Sequence, residues 1–272
     1  MSNDVSSGPA SSPASSWGAL LRRLIPLEFQ PPHQPVRRLL AATGFFRLRT
    51  WLGAHGVPVP DIGLYQPLFS PWQGLPEFEQ IYQPVRDHTL VTRDRCYILS
   101  QTLRQAMHLD GSILECGVFR GGTALLAART IQDSGRPRAL HLFDSFSGMP
   151  ETLKGVDRFQ KGDFHQTSAE RVAALLAPFP FARMHVGFIP DTFHGLETGP
   201  IAWAHVDVDL YQAIHDCVEY IYPRMIPGGM IVFDDYGFPS CPGARRAVDE
   251  AFANRPEVPI CLPTGQALVV KL

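Results

Sequence analysis

Two periodicities alternate along most of this chain. Behind Thr92-Arg93-Asp94-Arg95, a run with the composition of a helix start, apolar residues recur at helical intervals from Cys96 to Met107 (Ile98, Leu99, Leu103, Met107). Short apolar runs then predict strands over Ser112–Val118, Ala139–Asp144, Met184–Ile189, Ala202–Asp209 and Met230–Asp235. Helical segments are expected between them, over Thr123–Thr130, Ser168–Leu176 and Ala213–Met225, with a last helix over Gly243–Phe252. Strand alternating with helix at this density predicts an α/β fold whose mostly parallel, doubly wound sheet is covered on both faces. Two closing extended runs, Val258–Leu262 and Ala267–Leu272, flank Pro263-Thr264-Gly265 and predict a terminal antiparallel hairpin.

The pattern upstream is different. A short helix fits Glu77–Val85, and Val57–Pro76, rich in Pro and Gly, reads as an ordered connection. Over Trp17–Gly56, Leu20, Leu21, Leu24, Leu39 and Leu40 recur at near-helical spacing among six arginines that face one acid, Glu28. Two basic amphipathic helices split at Pro31-Pro32-His33-Gln34-Pro35 are predicted. The expected division is a disordered Ser/Pro/Gly-rich tail (1–16), a helical N-terminal cap (17–83) and the α/β domain (84–272). The cap is read as packing on the core or on a second subunit. Its alternative is contact with a membrane surface or a lipid substrate.

Composition narrows the classes. At 272 residues, 45% hydrophobic and 18% charged, the chain can bury one substantial core with an appendage. A formal charge of -2 carries no nucleic-acid signature. Five cysteines, an odd number with no Cys-x-x-Cys pair, argue against a disulfide framework or zinc knuckle and for a reducing compartment. With no apolar run long enough to cross a bilayer and no apolar signal core, a cytoplasmic protein is expected.

In open α/β sheets ligands collect at the carboxyl ends of the strands. The first predicted strand ends in Glu115-x-Gly117 and passes Arg120-Gly121-Gly122 into a helix. That strand–turn–helix lets backbone approach a cofactor closely, and its spacing is not the dinucleotide fingerprint Gly-x-Gly-x-x-Gly. The second ends in Phe143-Asp144-Ser145-Phe146, an acid suited to ribose hydroxyls. The fourth and fifth end in His205-Val-Asp207-Val-Asp209 and Phe233-Asp234-Asp235. Alternation along a strand would point Asp207 and Asp209 the same way. Four carboxylates in one crevice call for a cation, and oxygen-only ligands favour Mg²⁺, with Mn²⁺ or Ca²⁺ as alternatives. His141 is expected to be structural, with His165, His185 and His194 at the surface or in a pocket.

Several stretches together resemble one family. They are Thr89-Leu-Val-Thr-Arg-Asp-Arg95, Leu114-Glu-Cys-Gly-Val-Phe-Arg-Gly-Gly122, Phe143-Asp-Ser-Phe-Ser-Gly-Met-Pro-Glu151, Gly162-Asp-Phe164 and Gly187-Phe-Ile-Pro-Asp-Thr192. His205-Val-Asp-Val-Asp-Leu-Tyr211, Pro227-Gly-Gly-Met-Ile-Val-Phe-Asp-Asp-Tyr-Gly237 and Gly243-Ala-Arg-Arg-Ala-Val-Asp249 complete the set, which covers roughly Phe69 to Leu272. The chain resembles the macrocin O-methyltransferase (TylF/MycF) family, S-adenosylmethionine- and Mg²⁺-dependent sugar O-methyltransferases of natural-product pathways. The resemblance implies a Rossmann-like class I methyltransferase fold, a small-molecule or glycan acceptor and at least a homodimer. It further implies that Glu115 and Gly117 line the methionine side of the cofactor, that Asp144 binds its ribose with Ser145 beside it, and that Gly121 also belongs to the cofactor site. Gly162 and Asp163 would approach the adenine, Asp207, Asp234 and Asp235 would be metal ligands, and Asp209 the general base, with Asp207 the alternative. Ser147 stands where the family often has an acid. A catechol-type methyltransferase shares the metal logic. A glycosyltransferase using Asp207-Val-Asp209 is the more distant rival, and the glycine turn and terminal hairpin speak against it. The four retained acids speak against a non-catalytic adaptor.

Overall fold

The apolar runs fold into one seven-stranded sheet: β1 (Ser112–Cys116), β2 (Leu140–Asp144), β3 (Ala182–Val186), β4 (Ile201–Val206), β5 (Met225–Phe233), β6 (Ile260–Cys261) and β7 (Ala267–Val270). In the computed structural model, which describes residues 71–73 and 75–272 together with Trp51 and His55, the strand order is β3-β2-β1-β4-β5-β7-β6. β1 to β5 run parallel, and β7 returns antiparallel beside β5 and pairs with β6. This is the doubly wound sheet with a terminal hairpin that the alternating pattern predicts. The expected tail and the amphipathic helices of the cap lie outside the described residues. Residues 71–272 form one compact unit.

Strand alternation sorts the core into two layers. Ile113, Leu140, Leu142, Trp203 and Val232 pack with helices α1 (Pro76–Tyr82), α2 (Arg93–Ala106), α3 (Gly122–Asp133) and α4 (Ala169–Leu176). Leu114, Cys116, Phe143, Ala204 and Ile231 pack on the other side with α5 (Tyr211–Ile221) and α6 (Pro242–Phe252). Strands buried on both faces carry near-continuous apolar sequence, which is why β1 and β4 were readable. No helix among the described residues is long and apolar enough to cross a membrane. All five cysteines are free thiols.

Several boundaries differ from expectation. The helix expected to reach Met225 stops at Ile221, because Pro223 has no amide to donate; Met225 already belongs to β5. β5 therefore runs through Pro227-Gly228-Gly229, ahead of the expected start at Met230, with the Gly228 amide donating to the Lys271 carbonyl at 2.7 Å. β3 (Ala182–Val186) starts two residues and ends three residues earlier than predicted. It is the sheet's edge and only partly buried, so its apolar signal is weak, whereas Phe188 and Ile189 beyond it line a cavity.

Candidate active site

A cavity of about 310 Å³ opens at the carboxyl ends of β1, β2, β4 and β5. Its first half is built around a glycine turn. Gly117 sits at φ 88, and a Cβ there would lie 1.9 Å from the carbonyl oxygen of Asp207, so only glycine fits between β1 and β4. Asp144, at the tip of β2, braces the turn. Its Oδ2 accepts the amides of Val118 and Phe119, both at 2.8 Å, and its Oδ1 accepts the amide of Phe146 at 2.7 Å. Phe119 and Phe164 take left-handed backbone (φ 50 and 61) and pack edge to face at 6.1 Å on the wall. Such strain in bulky residues concentrates at functional sites.

Gly117, Asp144 and Ser145 line the cavity; Glu115, Gly121, Gly162 and Asp163 do not. Gly121 caps α3 in left-handed conformation against Val172 and Leu175. Gly162 and Asp163 form a turn clamped to Met149, whose amide donates to the Asp163 carbonyl at 2.8 Å. Glu115 is 1% exposed. Its Oε1 meets His205 Nδ1 at 3.2 Å, while its Oε2 is buried without a partner.

The second half is built from carboxylates. Asp207, Asp209 and Asp235 line the cavity, but not for the reason expected. β4 ends at Val206 and Asp209 is left-handed at φ 57, so the two acids of Asp207-Val-Asp209 share the cavity through a tight loop, not through strand alternation. The Asp209 amide donates to Asp235 Oδ2 at 3.2 Å, and Cys241 Sγ donates to Asp209 Oδ1 at 3.3 Å. Burial, then the charges of Asp234 and Asp235, push the Asp207 pKa well above the ordinary carboxylate range. Burial and the Asp209 and Asp234 charges do the same to Asp235. Asp209 rises to about 7, through burial and then Asp207.

Asp234 behaves differently. It is fully buried, does not line the cavity, and is held by Arg95, by Gln266 Nε2 at 2.8 Å and by His205 Nε2 at 3.5 Å. Burial alone would raise its pKa, but His205, Arg95 and Gln266 together lower it. His205 lies fully buried between Glu115 and Asp234. Burial opposes its charge, yet the bonds to the two acids outweigh that and hold it protonated well above the ordinary range. A line of alternating charge therefore runs from β1 through β4 to β5. The sequence reading missed His205, Arg95, Gln266 and Cys241 as site residues. Pairing of β1 with β4 puts Glu115 beside His205, a juxtaposition available once the strand order was known. His141 and His185 bond each other at 2.9 Å beneath Phe143, away from the acids.

The residues fit the two groups the resemblance implies. Among the described residues, ligand-type atoms come within 4.8 Å of one another in two groups, His205 with Asp207 and Asp234, and Asp209 with Asp235 and Cys241. The raised pKa values of Asp207, Asp209 and Asp235 mark under-neutralised charge of the kind a hard divalent cation relieves. The glycine turn and the Asp144 carboxylate share a cavity with them, and the partnerless Glu115 oxygen lies at the same strand end.

A sheet of this order, with its cavity at the strand ends and a glycine turn after β1, defines a class I methyltransferase fold. Residues 79–260 match the family described as Macrocin-O-methyltransferase (TylF), and the chain belongs to that family. It is 31% identical over 168 residues to 8-demethyl-8-(2,3-dimethoxy-alpha-L-rhamnosyl)-tetracenomycin-C 4'-O-methyltransferase of Streptomyces olivaceus, covering 57% of this chain and 64% of that protein. Mycinamicin III 3''-O-methyltransferase of Micromonospora griseorubida is 28% identical over 183 residues, 61% of this chain and 71% of that one. The match thus spans less than two thirds of the first relative's length. The solved structure of the O-methyltransferase NovP superposes with a TM-score of 0.62 at 25% identity, over 68% of this chain and 82% of that chain.

Proposed function

We propose that this chain transfers a methyl group from S-adenosylmethionine to a hydroxyl of a sugar carried by a small-molecule natural product or glycan, assisted by Mg²⁺. The observation that carries the reading is the meeting of Asp207, Asp209 and Asp235 with the Gly117 turn in one cavity. Family membership supports the methyl transfer, and the names of the tetracenomycin and mycinamicin enzymes support a sugar acceptor. The reading extends to a cytoplasmic homo-oligomer, with the segment before the domain as a cap.

Bound S-adenosylmethionine supplies an electrophilic methyl on a sulfonium, and a bound divalent cation would lower the pKa of an acceptor hydroxyl. The chain's own residues do the rest. Gly117, Asp144 and Ser145 would hold the cofactor, with Glu115, Gly121, Gly162 and Asp163 shaping the loops behind them. Asp207, Asp235 and, from behind, Asp234 would hold the cation. Asp209, whose carboxyl titrates near neutrality, takes the proton from the acceptor hydroxyl. Phe119, Phe164 and Phe238 give the cavity an apolar wall, and in-line positioning of the acceptor would supply most of the rate.

Calorimetry and turnover with an acceptor panel test this together. S-adenosylmethionine is expected to bind in the micromolar range, with methyl transfer to glycosides. Heat with a nucleotide sugar and none with S-adenosylmethionine would sink the methyltransferase reading. Turnover of catechols but not of glycosides would replace the sugar by a phenol.

A further inference from the structure

Arg95 leaves the first turn of α2 and enters the cavity wall, with its side chain 11% exposed. Each of its nitrogens holds a different part of the site. Nη1 binds Asp234 Oδ2; Nη2 donates to the Leu90 carbonyl at 3.2 Å; Nε donates to Thr92 Oγ1 at 3.1 Å. The guanidinium lies over the Phe238 ring, 4.8 Å from its centroid. A planar fork that serves three acceptors at fixed angles is a task for arginine and not for lysine. Leu90 itself lines the cavity and is 60% exposed, so the same side chain joins the acid cluster to the cavity's rim.

We propose that Arg95 is a positioning residue that supplies the acid cluster with a resident positive charge, neutralising Asp234 and competing for it with any cation taken up beside it. This rests on the Mg²⁺ reading given above. Asp234 is fully enclosed, so its charge must be matched from within the protein, and His205 is shared with Glu115. Arg95 is the guanidinium that meets it. It leaves Asp207, Asp209 and Asp235 as the carboxylates that face the cavity. A fixed positive charge beside a cation site raises the cost of cation entry, and removing it lowers that cost. A merely structural arginine predicts the opposite, since its loss would disorder Asp234 and weaken cation binding.

The test is titration of the full chain with Mn²⁺ alone, followed by electron paramagnetic resonance of the free ion. Arg95→Gln is expected to bind Mn²⁺ about 10-fold more tightly than the parent. Arg95→Met, which keeps the aliphatic stem on Phe238, should show the same gain if the glutamine variant folds poorly. Arg95→Lys, which keeps the charge but not the fork or the stacking on Phe238, should recover part of the parent's weaker binding and fall between the parent and Arg95→Gln. Adding Asp234→Asn to Arg95→Gln should erase the gain. Equal or weaker Mn²⁺ binding by the Gln and Met variants, with S-adenosylmethionine binding and melting temperature intact, overturns the assignment of Arg95 alone. Absence of Mn²⁺ binding in the parent and every variant overturns the cation reading as well.

Discussion

At the ends of β1 and β2 the one carboxylate facing the cavity, Asp144, accepts three backbone amides. At the ends of β4 and β5 three carboxylates face the same cavity, and burial and mutual repulsion raise the pKa of each. The first half is finished by the protein's own backbone, with a turn that only glycine can make. The second half is left electrically incomplete, at a cost to stability that is tolerated where a cation or a proton transfer is needed. One cavity thus joins a backbone-braced turn to a cluster of mutually repelling carboxylates.

The largest effect is expected where the incomplete half meets the chemistry. Asp209→Asn should lower turnover by ~10²–10⁴-fold, the usual contribution of a general base, while leaving S-adenosylmethionine affinity within error. Steady-state rates and calorimetry on one preparation check both parts; near-normal turnover would move the base to Asp207. In the preformed half, Gly117→Ala should act through the fold. Its Cβ has nowhere to go against the Asp207 carbonyl, so a loss of ~3 kcal/mol or more in denaturant unfolding is expected.

These two residues also mark what the sequence could and could not reveal. The strand-end motifs were legible because parallel strands buried on both faces write unbroken apolar runs that stop at the site. Gly117 and the acid pairs follow directly from those stops. The partners of Asp234 were not legible, since Arg95 is 139 residues away and Gln266 comes from the returning hairpin. Nothing in local pattern forecasts which acid such residues will reach. The left-handed turn at Asp209 was hidden too, because Asp-Val-Asp-Leu alternates as a strand would. The aromatic wall comes from separate loops, and each phenylalanine looks like core until the loops are folded.

Asp144→Ala sharpens the comparison at moderate size. Loss of a charged acceptor should weaken S-adenosylmethionine binding by ~1–3 kcal/mol, and the three freed amides should also lower the melting temperature. Asp235→Asn should behave in the opposite sense for stability, raising the melting temperature of the cation-free protein while weakening Mn²⁺ affinity. Differential scanning calorimetry of both variants tests the contrast.

The smallest expected effect is on pH dependence. Asp207, Asp209 and Asp235 have folded pKa values raised above their unfolded ones, so the folded state holds more protons than the unfolded state. Stability from this source is present at acid pH and is lost as pH rises from the ordinary carboxylate range through about 7. His205, also raised, adds to the loss at higher pH. Without divalent cations the melting temperature should therefore be lower at pH 8 than at pH 6, and Mg²⁺ should restore more of it at pH 8. A cation-free melting temperature that climbs from pH 6 to pH 8 would contradict the frustrated half of the comparison.

The most direct measurement is methyl transfer to a glycoside acceptor before and after exhaustive chelation, with S-adenosylmethionine binding followed in parallel. If the β4–β5 half is completed by a cation and the β1–β2 half is complete without one, chelation should abolish turnover, leave cofactor affinity unchanged, and be reversed by Mg²⁺. Turnover that survives chelation unchanged would contradict the account.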